Sequence, residues 1–201
     1  MSKRILGRVS TAMVAALASV LASVAGPAAA TPNGVPATLP AFVPYQSNWS
    51  PNYTVFPYNL WQNRVTPEQI TAQRDSCQWF NAQYDTLMGQ VFGFQRFLGD
   101  QDDEWTAPGV QPAGDIVIAN LDQSAGFLDA RAHTLYITNY PDQSQYSPLY
   151  NGDSIYRLWY QFTQISDKMK QKLPSGVINA NIATANVYGT VIRDSGVCAG
   201  A

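Results

Sequence analysis

Between Cys77 and Leu98 the apolar residues recur at intervals of three and four, and this pattern constrains the fold more than any other feature of the sequence. Such spacing places one residue per turn on a single helical face, so the stretch predicts a helix with a long buried stripe. Gly99 marks the expected end of this helix. The stripe consists of Cys77, Phe80, Tyr84, Leu87, Val91, Phe94 and Leu98.

The beginning of this helix is also marked in the sequence. Thr66 is suited to cap the first turn, Pro67 fits the first helical position, and Gln69 completes a capping box. Gly89 and Gly93 lie within the predicted helix, so we expect a kink or a close contact with another helix there.

Two segments after residue 150 also have clear helical spacing. From 153 to 173 the pattern predicts a helix that Asp153 caps and Pro174 terminates. Ser175 is placed to cap a last helix, which Gly196 is expected to end. The predicted buried faces are Ile155, Leu158, Phe162, Ile165 and Met169 in the first helix, and Ile178, Ile182, Ala185, Tyr188 and Ile192 in the second.

The segment 115–138 has two interpretations. Residues 116–118 and 136–138 are typical of strands, whereas a longer set of apolar residues keeps helical spacing across the whole segment. We interpret it as a helix, with Gly126 as the expected point of any break, between turn-rich loops at 99–114 and 139–152. The residues with helical spacing are Ile118, Leu121, Ala125, Leu128, Ala132 and Leu135.

The first thirty residues have the pattern of a cleavable signal peptide. Basic residues precede an apolar run from Ala12 to Ala25, and small residues follow at Ala28–Ala30. A membrane-spanning helix needs about 20 apolar residues, and this run is shorter. We therefore expect cleavage near Ala30, a secreted or periplasmic protein of the cell envelope, and no membrane span after cleavage.

Cys77 and Cys198 are the only cysteines, and both lie in the part of the chain expected to be exported. Thiols are oxidised in exported proteins, and two cysteines allow one intramolecular pairing. We expect that disulfide to join the first helix to the C-terminal tail. Two reactive thiols and a bridge between molecules are the alternatives.

Residues 31–65 are predicted to form an extended arm rich in proline and aromatic residues. Prolines recur at every fourth position from Pro32 to Pro44, a density that excludes a helix. Because the arm carries so much aromatic surface, we expect its second half to lie against the domain as a strap. The alternative is a segment that presents its aromatic side chains to a partner protein. These side chains are Phe42, Tyr45, Trp49, Tyr53, Phe56, Tyr58 and Trp61.

These patterns together predict an all-α fold for residues 66–201. About four helices would form a small bundle, closed by one disulfide and preceded by the extended arm.

The composition excludes several classes of function. Twelve Lys and Arg residues against fourteen Asp and Glu residues give a net charge of −2, which leaves no basic surplus for nucleic acid. One histidine and two cysteines are too few for a His/Cys-rich metal site. We expect neither a metal nor a cofactor.

Few residues point to catalysis. His133 is the single histidine, and no Gly-x-Ser-x-Gly motif accompanies it. The acidic run 100–104 has oxygen ligands for Ca²⁺ but lacks the glycine and later glutamate of an EF-hand, so we interpret it as a solvated loop. The sequence therefore predicts a protein without enzymatic activity.

The supply of aromatic residues is the strongest positive signal for a ligand. Phe94, Phe97, Tyr150, Trp159 and Tyr160 are candidates to line a pocket for a flat or greasy molecule. The alternative, which we favour, is that they form an aromatic core.

The tetrapeptide Tyr150–Asp153 is predicted to be a turn followed by a helix cap. In this interpretation Gly152 adopts a conformation that larger residues resist, and the helix after it seats Trp159 against the central helix near Phe94 or Phe97. Alternatively, Asn151 and Asp153 are polar groups at the mouth of a pocket.

Three short stretches resemble a mycobacterial family of small secreted helical proteins whose termini are cinched by one disulfide. Cys77 is followed eighteen residues later by Gln95, Arg96 and Phe97; Tyr150–Asp153 is followed by Trp159, nine residues after the tyrosine; and Val197-Cys198 precedes Gly200. The chain departs from the family in longer segments at 99–146 and 159–198, and in the additional arm.

The resemblance implies a role in the export of siderophores across the cell envelope. The family has no established enzymatic activity. We therefore expect a non-enzymatic accessory protein that acts on siderophore or lipid-like cargo, or on the envelope transporter that moves it. The alternative is a structural or partner-binding envelope protein that carries no ligand.

Overall fold

The computed structural model describes residues 36–51, 65–136 and 152–201. Residues 1–30, the predicted signal peptide, lie outside this part of the chain. The helices of the described residues are α1 (Pro67–Trp79), a π-helical turn (Phe80–Tyr84), α2 (Asp85–Asp100), α3 (Val110–Leu135), α4 (Gly152–Lys170) and α5 (Ser175–Asp194). Because α1, the π-helical turn and α2 are consecutive, they form one long helix.

This first helix begins as predicted. The Gln69 backbone N–H donates to Thr66 Oγ1 over 3.3 Å, and the Thr66 N–H donates to Gln69 Oε1 over 3.0 Å, which completes the capping box. All seven residues of the predicted stripe are buried. The periodicity of the sequence therefore identified the buried face of this helix.

The glycines do not behave as predicted. The helix leaves α geometry at Phe80–Tyr84, ahead of Gly89 and Gly93, and a side chain at either glycine would meet nothing within 4 Å. The helix ends at Asp100 rather than at Gly99. The left-handed residues that follow it are Asp102 and Asp103, with φ of 52° and 62°.

The ambiguous middle segment is helical from 115 to 135, and its helix begins earlier than predicted; Tyr136 is extended, and 137–138 lie outside the described residues. α3 begins at Val110, so the predicted loop over 99–114 is wrong in its last five residues, and the helix passes through Gly126 without a break. Gly109 precedes α3 with φ of 84°, a left-handed conformation that glycine adopts without steric cost. The predicted helical face is correct, because Leu121, Leu128 and Leu135 are fully buried.

The last two helices have the predicted buried faces, but their first residues differ from the prediction. Asp153 is the second residue of α4 rather than its cap, and α4 ends at Lys170 rather than at 173. Ser175 is the first residue of α5, and its backbone N–H donates to Asp103 Oδ1 over 2.8 Å. Gly196, with φ of 69°, follows the end of α5 as predicted.

The helices pack as a four-membered bundle. α4 lies between α3 and α5, and the first helix contacts both α3 and α5. Near the centre of the bundle the ring of Trp79 meets the edge of Phe162, with centroids 5.8 Å apart. Over the residues that the structure describes, the predicted all-α class and the number of helices are confirmed.

Cys77 and Cys198 form the predicted disulfide, with Cα atoms 4.8 Å apart. Both are buried, and Asn81 Nδ2 donates to the Cys198 carbonyl oxygen over 2.9 Å. The C-terminal tail is thus attached to the first helix beside the π-helical turn.

Residues 36–51 have no regular secondary structure and lie across the bundle. Leu39 is 3% exposed, and the ring of Phe42 meets the edge of Phe127 on α3, with centroids 5.1 Å apart. We call residues 36–51 the strap. The prediction placed a strap in the second half of the arm, and residues 52–64 of that half lie outside the described residues; the observed strap lies mainly in the first half.

Within the described ranges, no helix has both the length and the hydropathy required to cross a membrane.

Candidate functional site

Phe94 and Trp159, two aromatic residues of the predicted site, do not come together. Phe94 is buried on α2 against Trp105, with ring centroids 5.3 Å apart, and its ring also lies against Gly114 near the start of α3. Trp159 lies against His133 near the end of α3. Nineteen residues of α-helix separate positions 114 and 133, about 28 Å at 1.5 Å per residue. The prediction that Trp159 is seated near Phe94 or Phe97 is therefore wrong.

Trp159 instead belongs to an aromatic cluster between α3 and α4. Its centroid lies 4.6 Å from that of His133 and 5.3 Å from that of Tyr156. Tyr156 stacks on Tyr136, with centroids 4.1 Å apart. We call His133, Tyr136, Tyr156 and Trp159 the aromatic cluster; its rings are partly exposed. Sequence reasoning missed the cluster because Tyr136 was assigned to a segment of uncertain type.

Of the remaining residues of the predicted site, Phe97, Tyr160 and Gly152 lie in the described part of the chain. Phe97 is half-buried and lies near Gly109, and Tyr160 is 45% exposed on α4. Tyr150 and Asn151 lie outside the described residues, as does the predicted turn that contains them. Gly152 is the first residue of α4.

Asp153 is buried in the first turn of α4. Its Oδ2 lies 3.5 Å from Nε of Arg157, one turn further along. Burial raises the pKa of the Asp153 carboxyl above its ordinary value, although Arg157 and the backbone N–H groups of the first turn act in the opposite direction. Among the described residues, Arg157 is the charged group that pairs with the Asp153 carboxylate.

The acidic loop has a structural role. Asp103 Oδ1 accepts the first N–H of α5, and Glu104 accepts hydrogen bonds from the hydroxyl and N–H of Thr106 over 2.6 and 3.0 Å. These bonds lower the pKa of Glu104. No group of three or more metal-ligating side chains occurs in this loop or elsewhere in the described chain.

His133 is exposed at the end of α3. Its Nδ1 lies 2.9 Å from the carbonyl oxygen of Asp129, one turn earlier in the same helix. His133 therefore has the Asp129 carbonyl oxygen as a hydrogen-bond partner and Trp159 as an aromatic neighbour. Neither of these groups is a nucleophile that His133 could activate.

Two surface clefts are lined by described residues. The larger, about 430 Å³, lies between α1 and α3 and contains the ion pair of Asp75 with Arg131, in which the charged atoms are 3.2 Å apart. The smaller, about 300 Å³, lies beside the disulfide, where Arg193 pairs with Asp85. Neither cleft contains residues of the predicted aromatic site.

The strap occupies a groove that sequence reasoning did not identify. Five side-chain amides from the first helix and α3 hydrogen-bond to its backbone: Gln78, Gln83, Gln90, Asn120 and Gln123. We call this set the amide ladder, and the surface that it lines the strap groove. The sequence gives little signal for it, because scattered glutamines are typical of any solvated helix.

The outward face of α5 is also unusual. Val177, Val187 and Val191 are exposed, and Val187 is 56% exposed. With Ala180 and Thr184 they follow alternating intervals of three and four, and residues 175–192 include no charged side chain. We call these five residues the α5 stripe. The other helices differ, since the outer face of α3 carries exposed carboxylates at 115, 122 and 129.

Comparison of the chain with models of known protein families, with curated proteins and with solved structures found no match.

Proposed function

We propose that this protein is a non-enzymatic accessory protein of the cell envelope that acts by binding a protein partner. The family that its sequence resembles is associated with siderophore export, and we place the partner in the transport machinery for such a cargo. The α5 stripe is the observation that carries the proposal.

The α5 stripe has the spacing and chemistry of a helix-docking surface. Apolar residues at intervals of three and four form one seam along a helix, which a second helix covers by interlocking side chains. Val177, Val187 and Val191 supply the apolar contacts, while Ala180 and Thr184 are small enough for close approach. The absence of charge over 175–192 favours a partner helix with an uncharged face.

A second candidate function is the binding of amphiphilic cargo at the aromatic cluster. The partly exposed rings of Tyr136, Tyr156 and Trp159 would give a flat molecule a stacking surface. We favour the protein partner, because Phe94 and Phe97 lie near the start of α3 whereas Trp159 lies near its end.

The experiment uses a deletion strain grown under iron limitation and complemented with variants. Val187→Glu combined with Val191→Glu places two charges on the α5 stripe, and we expect loss of growth and of secreted siderophore. Ala119→Glu, at an exposed position of α3, is the matched control and should complement fully. Equal melting temperatures would exclude unfolding as the cause.

Full complementation by the double variant would contradict the proposal. Native mass spectrometry of protein purified from its own host separates the two candidates. A bound amphiphile that is lost on Trp159→Ala would favour the aromatic cluster.

A further inference from the structure

The amide ladder binds the strap through backbone atoms. Gln90 Nε2 donates to the Ala37 carbonyl oxygen over 2.8 Å, and Gln83 Nε2 donates to that of Pro40 over 2.7 Å. Gln123 Nε2 also donates to the Pro40 carbonyl oxygen, over 2.9 Å. Every polypeptide has these backbone groups, so the ladder recognises an extended chain rather than a particular set of side chains.

Two members of the ladder, Asn120 and Gln78, each bind both a backbone N–H and a backbone carbonyl oxygen of the strap. Asn120 Oδ1 accepts the Leu39 N–H over 2.9 Å while its Nδ2 donates to the Ala37 carbonyl oxygen over 3.0 Å. Gln78 Oε1 accepts the Tyr45 N–H over 3.0 Å while its Nε2 donates to the Tyr45 carbonyl oxygen over 2.9 Å. A side-chain amide that binds both a donor and an acceptor fixes the direction and register of the bound chain.

Few side chains of the strap are fully buried, although Phe42 packs against Phe127 at the edge of the core. Leu39 is its one fully buried side chain, while Val43 is 75% and Tyr45 52% exposed. Ordering the backbone of a residue costs free energy similar to the net gain from one hydrogen bond. The strap therefore lies on the bundle as a bound peptide does, held by backbone hydrogen bonds, one buried leucine and the contact of Phe42 with Phe127.

We propose that the strap groove is a peptide-binding groove for an extended, proline-containing and uncharged segment of a partner protein, and that the strap is its displaceable internal ligand. This inference rests on the proposed function as a partner-binding protein and adds the chemistry of a second contact. A partner segment would displace the strap from the amide ladder.

The strap indicates which chemical groups the partner segment must contain. The ladder uses the N–H groups of Leu39 and Tyr45, whereas the prolines at 36, 40 and 44 have no N–H to lose. Residues 36–51 include no charged side chain, which matches the neutral amides of the groove. A leucine at the position of Leu39 supplies the apolar anchor.

The test measures binding of a fluorescent synthetic peptide with the sequence of residues 36–51. The full exported chain with Leu39→Asp should release the strap, because the substitution puts a charge in the apolar site of Leu39. We expect this variant to bind the peptide at least about 10-fold more tightly than the wild-type chain, in which the strap competes.

Two controls identify the ladder as the binding site. Leu39→Asp combined with Gln78→Ala and Asn120→Ala should lose at least about 10-fold in affinity, because both pairs of bonds are removed. A peptide N-methylated at Leu39 keeps the leucine side chain but lacks the N–H that Asn120 accepts, and should bind weakly. Circular dichroism and an intact disulfide establish that each variant is folded.

If Leu39→Asp does not fold, a protease site within 52–64 of the wild-type chain replaces it. After cleavage of the folded protein, exchange of the strap for isotope-labelled peptide is followed by native mass spectrometry. Exchange within hours supports the proposal, whereas retention of the original strap after a day overturns it.

Failure of the folded Leu39→Asp variant to bind peptide also overturns the proposal. A mixture of two differently tagged copies tests whether straps exchange between molecules. If such dimers form while the free peptide does not bind, the groove binds the strap of a second copy, and its assignment to a partner protein is wrong. These measurements use purified protein, so a negative result is distinguishable from failure of the α5 variants in the growth experiment.

Discussion

Gly189 on α5 lies against the phenol of Tyr84, so that a side chain at position 189 would occupy the space of the Tyr84 hydroxyl. The hydroxyl lies 3.5 Å from the Ala185 carbonyl oxygen, and burial raises the pKa of Tyr84 to about 12. Tyr84 is the last residue of the π-helical turn. This contact therefore fixes α5 against the first helix close to the disulfide.

Gly189→Ala should destabilise the protein, because the added methyl group overlaps the Tyr84 ring. Overpacking of this kind costs about 1–3 kcal/mol, and thermal unfolding should show a lower Tm. Gly126→Ala is the matched control, since Gly126 lies in α3 with nothing within 4 Å of an added methyl group. We expect the control to be neutral or slightly more stable, by up to about 1 kcal/mol. Equal Tm values for the two variants would contradict the proposed contact.

The sequence predicted the elements whose signal is local. The stripe from Cys77 to Leu98 is buried because its period matches the helix, and Thr66 caps because its hydroxyl reaches an N–H three residues away. The disulfide followed from there being two cysteines in a chain expected to be exported. Each of these inferences depends either on the period of one helix or on the pairing of two residues.

The features that sequence reasoning missed depend on distant parts of the chain. Asn120 and Leu39 are 81 residues apart, and nothing in either local sequence indicates that they share a hydrogen bond. The turn predicted at Tyr150–Asp153 would direct the following helix so that Trp159 meets Phe94 or Phe97, but the antiparallel course of α3 and α4 brings Trp159 to His133 instead. Helical periodicity specifies which face is buried and not which helix covers it.

Asn120→Ala should loosen the strap without unfolding the bundle. The substitution removes the bonds to the Leu39 N–H, to the Ala37 carbonyl oxygen and to Oε1 of Gln90 in the same ladder, each with a net value of about 0.5–1.5 kcal/mol. Hydrogen exchange at the Leu39 amide should accelerate by about 10-fold or more. Gln101→Ala is the control, because its side-chain amide donates to the neighbouring carbonyl oxygen of Asp100 rather than to the strap. Unchanged protection at Leu39 would show that Asn120 does not hold the strap.

Replacing both Cys77 and Cys198 by serine should lower Tm substantially. The disulfide joins residues separated by 121 positions, and a crosslink that closes a loop of about this length restricts the unfolded chain by about 4–5 kcal/mol in chain-entropy estimates. For a chain of this size that corresponds to a shift of about 10 °C. Wild-type protein whose disulfide has been reduced should show a Tm similar to that of the double serine variant. A double variant as stable as the oxidised wild type would contradict this account.

Asp153→Asn should stabilise the protein at neutral pH. Burial raises the pKa of the Asp153 carboxyl in the folded chain, so the unfolded chain releases this proton at lower pH than the folded one. The stabilising contribution of the protonated group is therefore complete below the unfolded carboxyl pKa of about 3.9 and is lost as the pH rises through the higher folded pKa. Asparagine is neutral throughout and still accepts from the backbone N–H groups of the first turn.

The Tm difference between Asp153→Asn and the wild type should therefore increase from pH 4 upwards and then level off. Asp167→Asn, at an exposed position of the same helix, controls for the loss of one negative charge. Thermal unfolding at half-unit pH intervals measures both variants. A lower Tm for Asp153→Asn at pH 7 would mean that attraction to Arg157 and to the positive end of α4 outweighs burial, because those two interactions are what the substitution removes.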